Sequence, residues 1–300
     1  MTQHGFTVLN PLVDYPSAPI KHLRLWDCGV TWRDVNPERD VWDYGRLDAI
    51  VDTAHAHGTA ALTYVLGMSP MWAAGNPSNP YAASWIGKAS NSLPTDTAAW
   101  DAYVWNTATR YKGRIRFYQV WNEPQLREFM YPYTQVDRLG FLTRRAWTII
   151  NKVDPDARIV SAGVLPRPSS GGMKKAGAYL ASLRKYGWPV DIHAAHVYPE
   201  IGAGPDRWRA LAQSWKDGLR VQKAPLKPLW VTETNYNLTG GPLGTKGMVN
   251  RYVALTSKFA NDLSISRLVW YAYGVHSDPA LLGIRFTESS LGTQLVTEYE

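Results

Sequence analysis

Two glutamates in this 300-residue chain stand where chemistry can be done. One closes the apolar run Ile115–Trp121, in Val120-Trp121-Asn122-Glu123-Pro124. The other closes Pro228–Glu233, in Trp230-Val231-Thr232-Glu233-Thr234-Asn235. A carboxylate at the end of a buried apolar segment is costly unless it has a partner or a task. Two such carboxyls facing one another can cleave a glycosidic bond. One must carry a proton near neutral pH and give it to the leaving oxygen. The other must stay ionised, to attack or stabilise the oxocarbenium-like centre. A single strand-end Glu is as readily explained by an ion pair with a nearby Arg. Two in matching contexts favour the catalytic pair.

The elements that must position them follow from periodicity. Short apolar runs read as strands at Phe6–Leu9, His22–Trp26, Ala60–Leu66, Ile115–Trp121, Arg158–Ala162, Asp191–Tyr198, Pro228–Glu233 and Arg267–Tyr273. Amphipathic helical patterns lie between most of them. Leu47, Ile50, Val51 and Ala54 follow the i, i+3, i+4, i+7 rule within Gly45–His57, and Gly58 supplies the stop. Further helices are expected at Thr95–Tyr111, Thr134–Lys152, Met173–Tyr186, Asp206–Val221, Lys246–Asn261 and Ser289–Tyr299. Pro11–Pro19 is too proline-rich to be regular. Strands alternating with helices over this length predict an α/β fold, a TIM (β/α)8 barrel formed as a single domain over residues 1–300 with long βα loops. An open doubly wound sheet is the rival, but Asn10-Pro11-Leu12 after the first strand is not its glycine-rich turn. In the barrel, functional groups gather at the C-terminal ends of strands, where both glutamates fall.

Other residues acquire meaning from that placement. Arg24, on the second strand, would favour the ionised form of a carboxylate beside it. His196 and Tyr198 are two apart and share one face of the sixth strand, whereas His193 falls on the other. The loop from Gly67 to Leu93 carries Trp72, Tyr81 and Trp85. The one after the fourth strand carries Phe129, Tyr131 and Tyr133, and Asn235–Gly247 is rich in glycine. Loops this long in a compact domain are often functional, and aromatics on several rims suggest a cleft with several sugar subsites and internal (endo) cleavage. An exo mode is the alternative.

Trp121-Asn122-Glu123-Pro124, Trp230-Val231-Thr232-Glu233 and the intervening His196-Val197-Tyr198-Pro199 resemble the retaining glycoside hydrolases of clan A. Leu23-Arg24-Leu25-Trp26-Asp27, Trp42-Asp43-Tyr44 and Leu66-Gly67-Met68-Ser69-Pro70-Met71-Trp72-Ala73 are similar to glycoside hydrolase family 39 and its bacterial polysaccharide-cleaving relatives. The likeness runs over residues 6–275. It implies Glu123 as acid/base and Glu233 as nucleophile, with a covalent glycosyl-enzyme intermediate. It implies that Asn122 donates to the sugar 2-hydroxyl, that His196 and Tyr198 hold the nucleophile region, and that Trp270 on the eighth strand is the aromatic floor, with Tyr271 as alternate. Trp72 and Phe129 are expected at the substrate.

Composition limits the rest. Cys28 is the only cysteine, so an intramolecular disulfide and a four-thiolate metal site are excluded. No metal or cofactor is expected. The net charge of +7 is mild and its basic residues are scattered, which argues against nucleic acid and leaves an acidic or cell-envelope glycan as one partner class among polysaccharides and oligosaccharides. No apolar run reaches membrane-span length. Met1–Phe6 shows no secretory pattern, so action outside the cell or at its envelope would need another route, such as release by lysis. The 14 Trp and 17 Tyr against six Phe suit an amphipathic ligand such as a sugar, although most such rings belong to the core. A sugar-binding barrel without turnover would normally lack one carboxylate. A serine esterase would need a G-x-S-x-G elbow, which is absent from the sequence.

Overall fold

The computed structural model describes residues 2–16, 20–81, 86–167, 172–200, 203–235 and 246–273. The expected helix Ser289–Tyr299, most of the glycine-rich loop and Trp85 lie outside them.

Eight parallel strands alternate with helices. They are β1 (Gln3–Val8), β2 (His22–Leu25), β3 (Ala61–Leu66), β4 (Phe117–Val120), β5 (Arg158–Val160), β6 (His193–Val197), β7 (Leu229–Thr234) and β8 (Ile265–Tyr273). The order β5-β4-β3-β2-β1-β8-β7-β6 is continuous. Between β5 and β6 the ladder is reduced to bridges at Val160–Ile192 and Val164–Ala195. Ser161 N–H donates to Ile192 O at 3.0 Å and His196 N–H to Val164 O at 2.8 Å across this seam. The result is a nearly closed TIM (β/α)8 barrel.

The helices are α1 (Trp32–Val35), α2 (Gly45–Ala56), α3 (Thr97–Arg110), α4 (Val136–Val153), α5 (Gly172–Lys185), α6 (Pro205–Val221) and α7 (Lys246–Asp262). Each buries the stripe that periodicity marks. In α4 that stripe is Leu139, Leu142, Ala146, Ile150 and Val153. Helix α3 begins later than expected, because Asp96 turns its carboxylate onto the N–H groups of Ala98 and Ala99 at 2.9 and 3.1 Å and so becomes the cap. The short α1 was not expected. Its signal is the Thr31-x-x-Asp34 box, in which Asp34 accepts from Thr31 N–H at 2.8 Å.

The barrel interior is polar in its middle layer. Arg24, Gln119 and Thr232 are fully buried. Gln119 accepts from Arg24 Nε at 2.7 Å and donates to Ser161 O and Thr232 Oγ1, each at 3.0 Å, so one side chain joins β2, β4, β7 and the segment after β5. Below it, Trp230, Phe117 and His22 pack edge to face, with the Arg267 guanidinium 4.1 Å from the Trp230 ring centre. Replacing Gln119 by Leu would strand a guanidinium N–H, a carbonyl and a hydroxyl away from water. The expected loss is roughly 2–4 kcal/mol of unfolding free energy, read from urea denaturation.

Candidate active site

Three βα junctions, after β2, β3 and β4, pass through left-handed backbone at four residues. Asp27 has φ 57°, Met68 62°, Trp121 71° and Glu123 36°. Such angles are rare for residues with a side chain, and a bulky one like Trp121 adopts them only when its surroundings insist. Here Trp121 is wholly buried and donates its indole N–H to Phe129 O at 2.8 Å. Its ring lies against Gly67, where an added Cβ would stand 2.7 Å from the indole. The chain then delivers Asn122 and Glu123 over the barrel mouth.

Glu233 arrives by a different irregularity. Thr232 points inward to Gln119, and strict alternation would send Glu233 out. The β6–β7 ladder is interrupted instead: Ala195 pairs with Val231, but His196 pairs with Glu233, leaving Thr232 as an extra residue. Consecutive side chains therefore face the interior.

The two glutamates are 7 % and 5 % exposed. Arg24 Nη1 donates to Glu233 Oε1 at 2.5 Å and Nη2 to Asn122 Oδ1 at 2.7 Å. Tyr198 donates its phenol to Glu233 Oε2 at 2.9 Å. His196 Nδ1 lies 2.8 Å from Glu123 Oε1 and 3.4 Å from Glu233 Oε2. One carboxylate oxygen from each glutamate and one His196 nitrogen all fall within 4.8 Å of one another. These three could share a cation, but Arg24 and Tyr198 already occupy Glu233, and His196 Nδ1 is already engaged with Glu123.

Burial is the main influence on Glu123, pushing its carboxyl from the ordinary 4.5 up to about 7; Arg24 and Arg167 oppose the rise. Burial likewise lowers His196 to about 3, so the imidazole is neutral. Its Nε2 has no hydrogen-bond partner among the described residues and faces Gly163, where a Cβ would sit 2.0 Å away. A proton on Nδ1 avoids burying that unpaired N–H. It lets Nδ1 donate to Glu123 Oε1 and leaves Oε2 to carry the acid proton. The Asn122 amide nitrogen is also buried without a partner among the described residues.

The residues expected at the site are only partly gathered there. Arg24, Asn122, Glu123, His196, Tyr198 and Glu233 converge. His196 bonds Glu123 rather than chiefly the nucleophile region, because the sixth strand passes between the ends of β4 and β7. Trp270 is corrected: it has no exposed surface and donates its indole N–H to His4 at 3.0 Å on the outer face of β8. Alternation turns Tyr271 inward instead, where its phenol meets Asp27 at 2.5 Å. Trp72 is partly exposed, but it donates to Asn36 O at 3.0 Å, meets the Trp32 ring edge-on and lies under the Arg39 guanidinium, so it belongs to the packing of that loop. Phe129 is 9 % exposed and packs on Trp26, whose ring lies 5.7 Å from the Arg24 guanidinium carbon. It supports the site from behind. Sequence reasoning missed Gln119, Gly163 and the role of Asp27. The inward period of β4 could have marked Gln119. A glycine needed by a ring from the next strand leaves no local signal.

The chain matches no family model and no curated protein sequence. Among solved structures it is similar to a glucosidase from Croceicoccus marinus, with TM-score 0.67 and 12 % identity over 93 % of this chain and 62 % of that one. It is similar to the GH39 enzyme from Xanthomonas axonopodis pv. citri, with TM-score 0.67 and 21 % identity over 91 % of this chain and 58 % of that one. Xylanase 10B from Thermotoga petrophila RKU-1, in complex with xylobiose, gives TM-score 0.61 and 13 % identity over 91 % and 82 %. The chain shares their barrel fold. It spans less than two thirds of the glucosidase and of the GH39 enzyme.

Two consequences are measurable. A carboxyl protonated more readily folded than unfolded lowers stability as pH rises from about 4.5 to about 7, with no further change above. Glu123→Gln removes that dependence, so across this window the variant should gain on the wild type by on the order of 2–3 kcal/mol in paired urea titrations. Gly163→Ala should push the imidazole off Glu123 and lower turnover about tenfold or more, while circular dichroism keeps the barrel signature.

Proposed function

We propose that the protein is a retaining glycoside hydrolase that cuts a polysaccharide or glycan internally, with Glu123 as acid/base and Glu233 as nucleophile. The observation that carries this reading is the closeness of the two carboxyls, with oxygens within 4.8 Å and with opposite surroundings. Retaining glycosidases hold theirs about 5–5.5 Å apart, whereas inverting ones need about 6.5–9.5 Å to admit a water. Glu123 has few charge partners and keeps its proton near neutrality. Glu233 is met by a guanidinium and a phenol.

In the first step, Glu233 Oε attacks the anomeric carbon while Glu123 gives its proton to the departing oxygen. The C–O bond of the leaving sugar breaks and a glycosyl ester of Glu233 forms. In the second step, Glu123, now ionised, takes a proton from water, whose oxygen attacks the anomeric carbon and frees Glu233. His196 holds Glu123 from the side away from its reactive oxygen. Tyr198 and Arg24 orient Glu233. The unpartnered amide of Asn122 supplies a donor for the sugar 2-hydroxyl. The likeness to barrels described as a glucosidase and a xylanase supports a sugar substrate. Internal cleavage is supported by aromatics on the loops after β3 and β4, where the exposed Tyr81 ring meets Tyr131 at 4.6 Å and lies under Arg127.

The test is a polysaccharide panel with product sizing and NMR of the first-formed anomer. Retained configuration and early mid-sized fragments are expected, and an inverted anomer would refute the mechanism. Glu123→Gln should lose about 100- to 10,000-fold in kcat/KM on unactivated glycans. Glu233→Gln should form no covalent intermediate detectable by mass spectrometry. Hydrolysis undiminished in both variants would favour a different site.

A further inference from the structure

A third carboxyl stands at the same end of the barrel. Asp27 follows β2 through its left-handed turn and keeps some contact with solvent. One oxygen, Oδ2, accepts from the Tyr271 phenol at 2.5 Å. The other has no hydrogen bond among the described residues. Asp27 lies within electrostatic reach of Glu233, Glu123 and Arg24. Tyr271 in turn feels Glu233, so the Asp27–Tyr271 pair lies beside the proposed nucleophile.

Charge around Asp27 is poorly balanced. The cation that reaches it is Arg24, whose three donating nitrogens are committed to Gln119, Glu233 and Asn122. Arg167 acts on Glu123 and gives an N–H to Tyr198 O at 3.2 Å. Burial first, then Glu233 and Glu123, raise the Asp27 carboxyl to about 7 against the pull of Tyr271 and Arg24. The proposed pair needs no third carboxyl for bond cleavage. A carboxylate oxygen left without a hydrogen bond among the described residues, next to a phenol oxygen, is an acceptor for sugar hydroxyls, and the Asn122 amide adds a donor. A sugar carboxylate would bring neither a hydroxyl proton nor a favourable charge to this corner.

We propose that Asp27, held by Tyr271, is a specificity-determining residue: it binds the sugar at the cleavage point through its hydroxyls and excludes a unit bearing a carboxylate there. The proposal rests on the glycosidase reading. It narrows the polymer class, since a glycan acidic elsewhere along its length can still be cut, but not at a uronate.

The matched probes are uronate polysaccharides and their carboxyl-reduced forms, which keep every linkage and lose the charge, assayed with neutral polysaccharides by reducing-end release across the pH range in which Glu123 and Asp27 both titrate. Wild type should cut the neutral and carboxyl-reduced polymers at least roughly 100-fold faster than the uronate forms. Asp27→Asn suits the left-handed backbone and keeps the shape without the charge. It should narrow that ratio about tenfold, mainly by lowering KM for uronate polymer. Tyr271→Phe frees the carboxylate without removing its charge. It should slow neutral substrates while leaving the ratio within about threefold. A wild type that cuts a uronate form as fast as its reduced counterpart overturns the proposal and leaves the glycosidase reading intact. So does an Asp27→Asn ratio equal to that of the wild type. Absence of cleavage across the whole panel overturns the glycosidase reading and this proposal with it.

Discussion

The Arg24 guanidinium organises the barrel mouth. It has no exposed surface, and its three donating nitrogens reach Gln119 on β4, Asn122 at the end of β4 and Glu233 on β7. A charge so placed is tolerable only while every partner is present, because removing one leaves an ion in a medium that cannot solvate it. Lysine could not replace it, since a single ammonium does not present three nitrogens in a rigid fork. The ends of β4 and β7 are therefore tied to β2, and the separation of the two glutamates follows from that tie.

From this constraint the rest of the site can be understood. Gln119 spreads the Arg24 contact to β7 and to the segment after β5. Once Thr232 is used by Gln119, an extra residue in the β6–β7 ladder is needed to turn Glu233 inward as well. His196 enters beside them only because Gly163 has no side chain. Glu123, bonded to a neutral imidazole and shut from water, keeps its proton to about 7. One layer of interlocking polar contacts thus gives two carboxyls of the same type different surroundings, one beside an imidazole and the other held by a guanidinium and a phenol.

The aromatic excess also divides on physical grounds. Trp32, Trp100, Trp121, Trp208, Trp215 and Trp270 are all fully buried, so the many tryptophans mainly fill volume. Several have a polar edge satisfied inside the fold: Trp100 donates to Leu142 O, Trp208 to Thr234 Oγ1 and Trp121 to Phe129 O. Tyrosines carry more of the polar work at the mouth, since a phenol can both donate to a carboxylate and accept from a hydroxyl.

Periodicity and composition were enough to determine the barrel, the placement of α2 to α7 and the location of both glutamates at strand ends. These are local properties: apolar spacing sets which face is buried, and strand alternation sets direction. Strand position and alternation also marked Arg24, His196 and Tyr198, while Asn122 came from the resemblance alone. Tertiary structure decided what depends on contacts across the barrel. The bulge in β7, the burial that raises Glu123, the pairing of His196 with Glu123 and the Gly163 clearance all arise between residues far apart in the chain. The eighth strand shows the boundary most sharply. Sequence placed an aromatic there but could not choose between Trp270 and Tyr271, because a one-residue change of register exchanges the two faces. Only the pairing of β8 with β1 decided it, sending Trp270 outward to His4 and Tyr271 inward to Asp27.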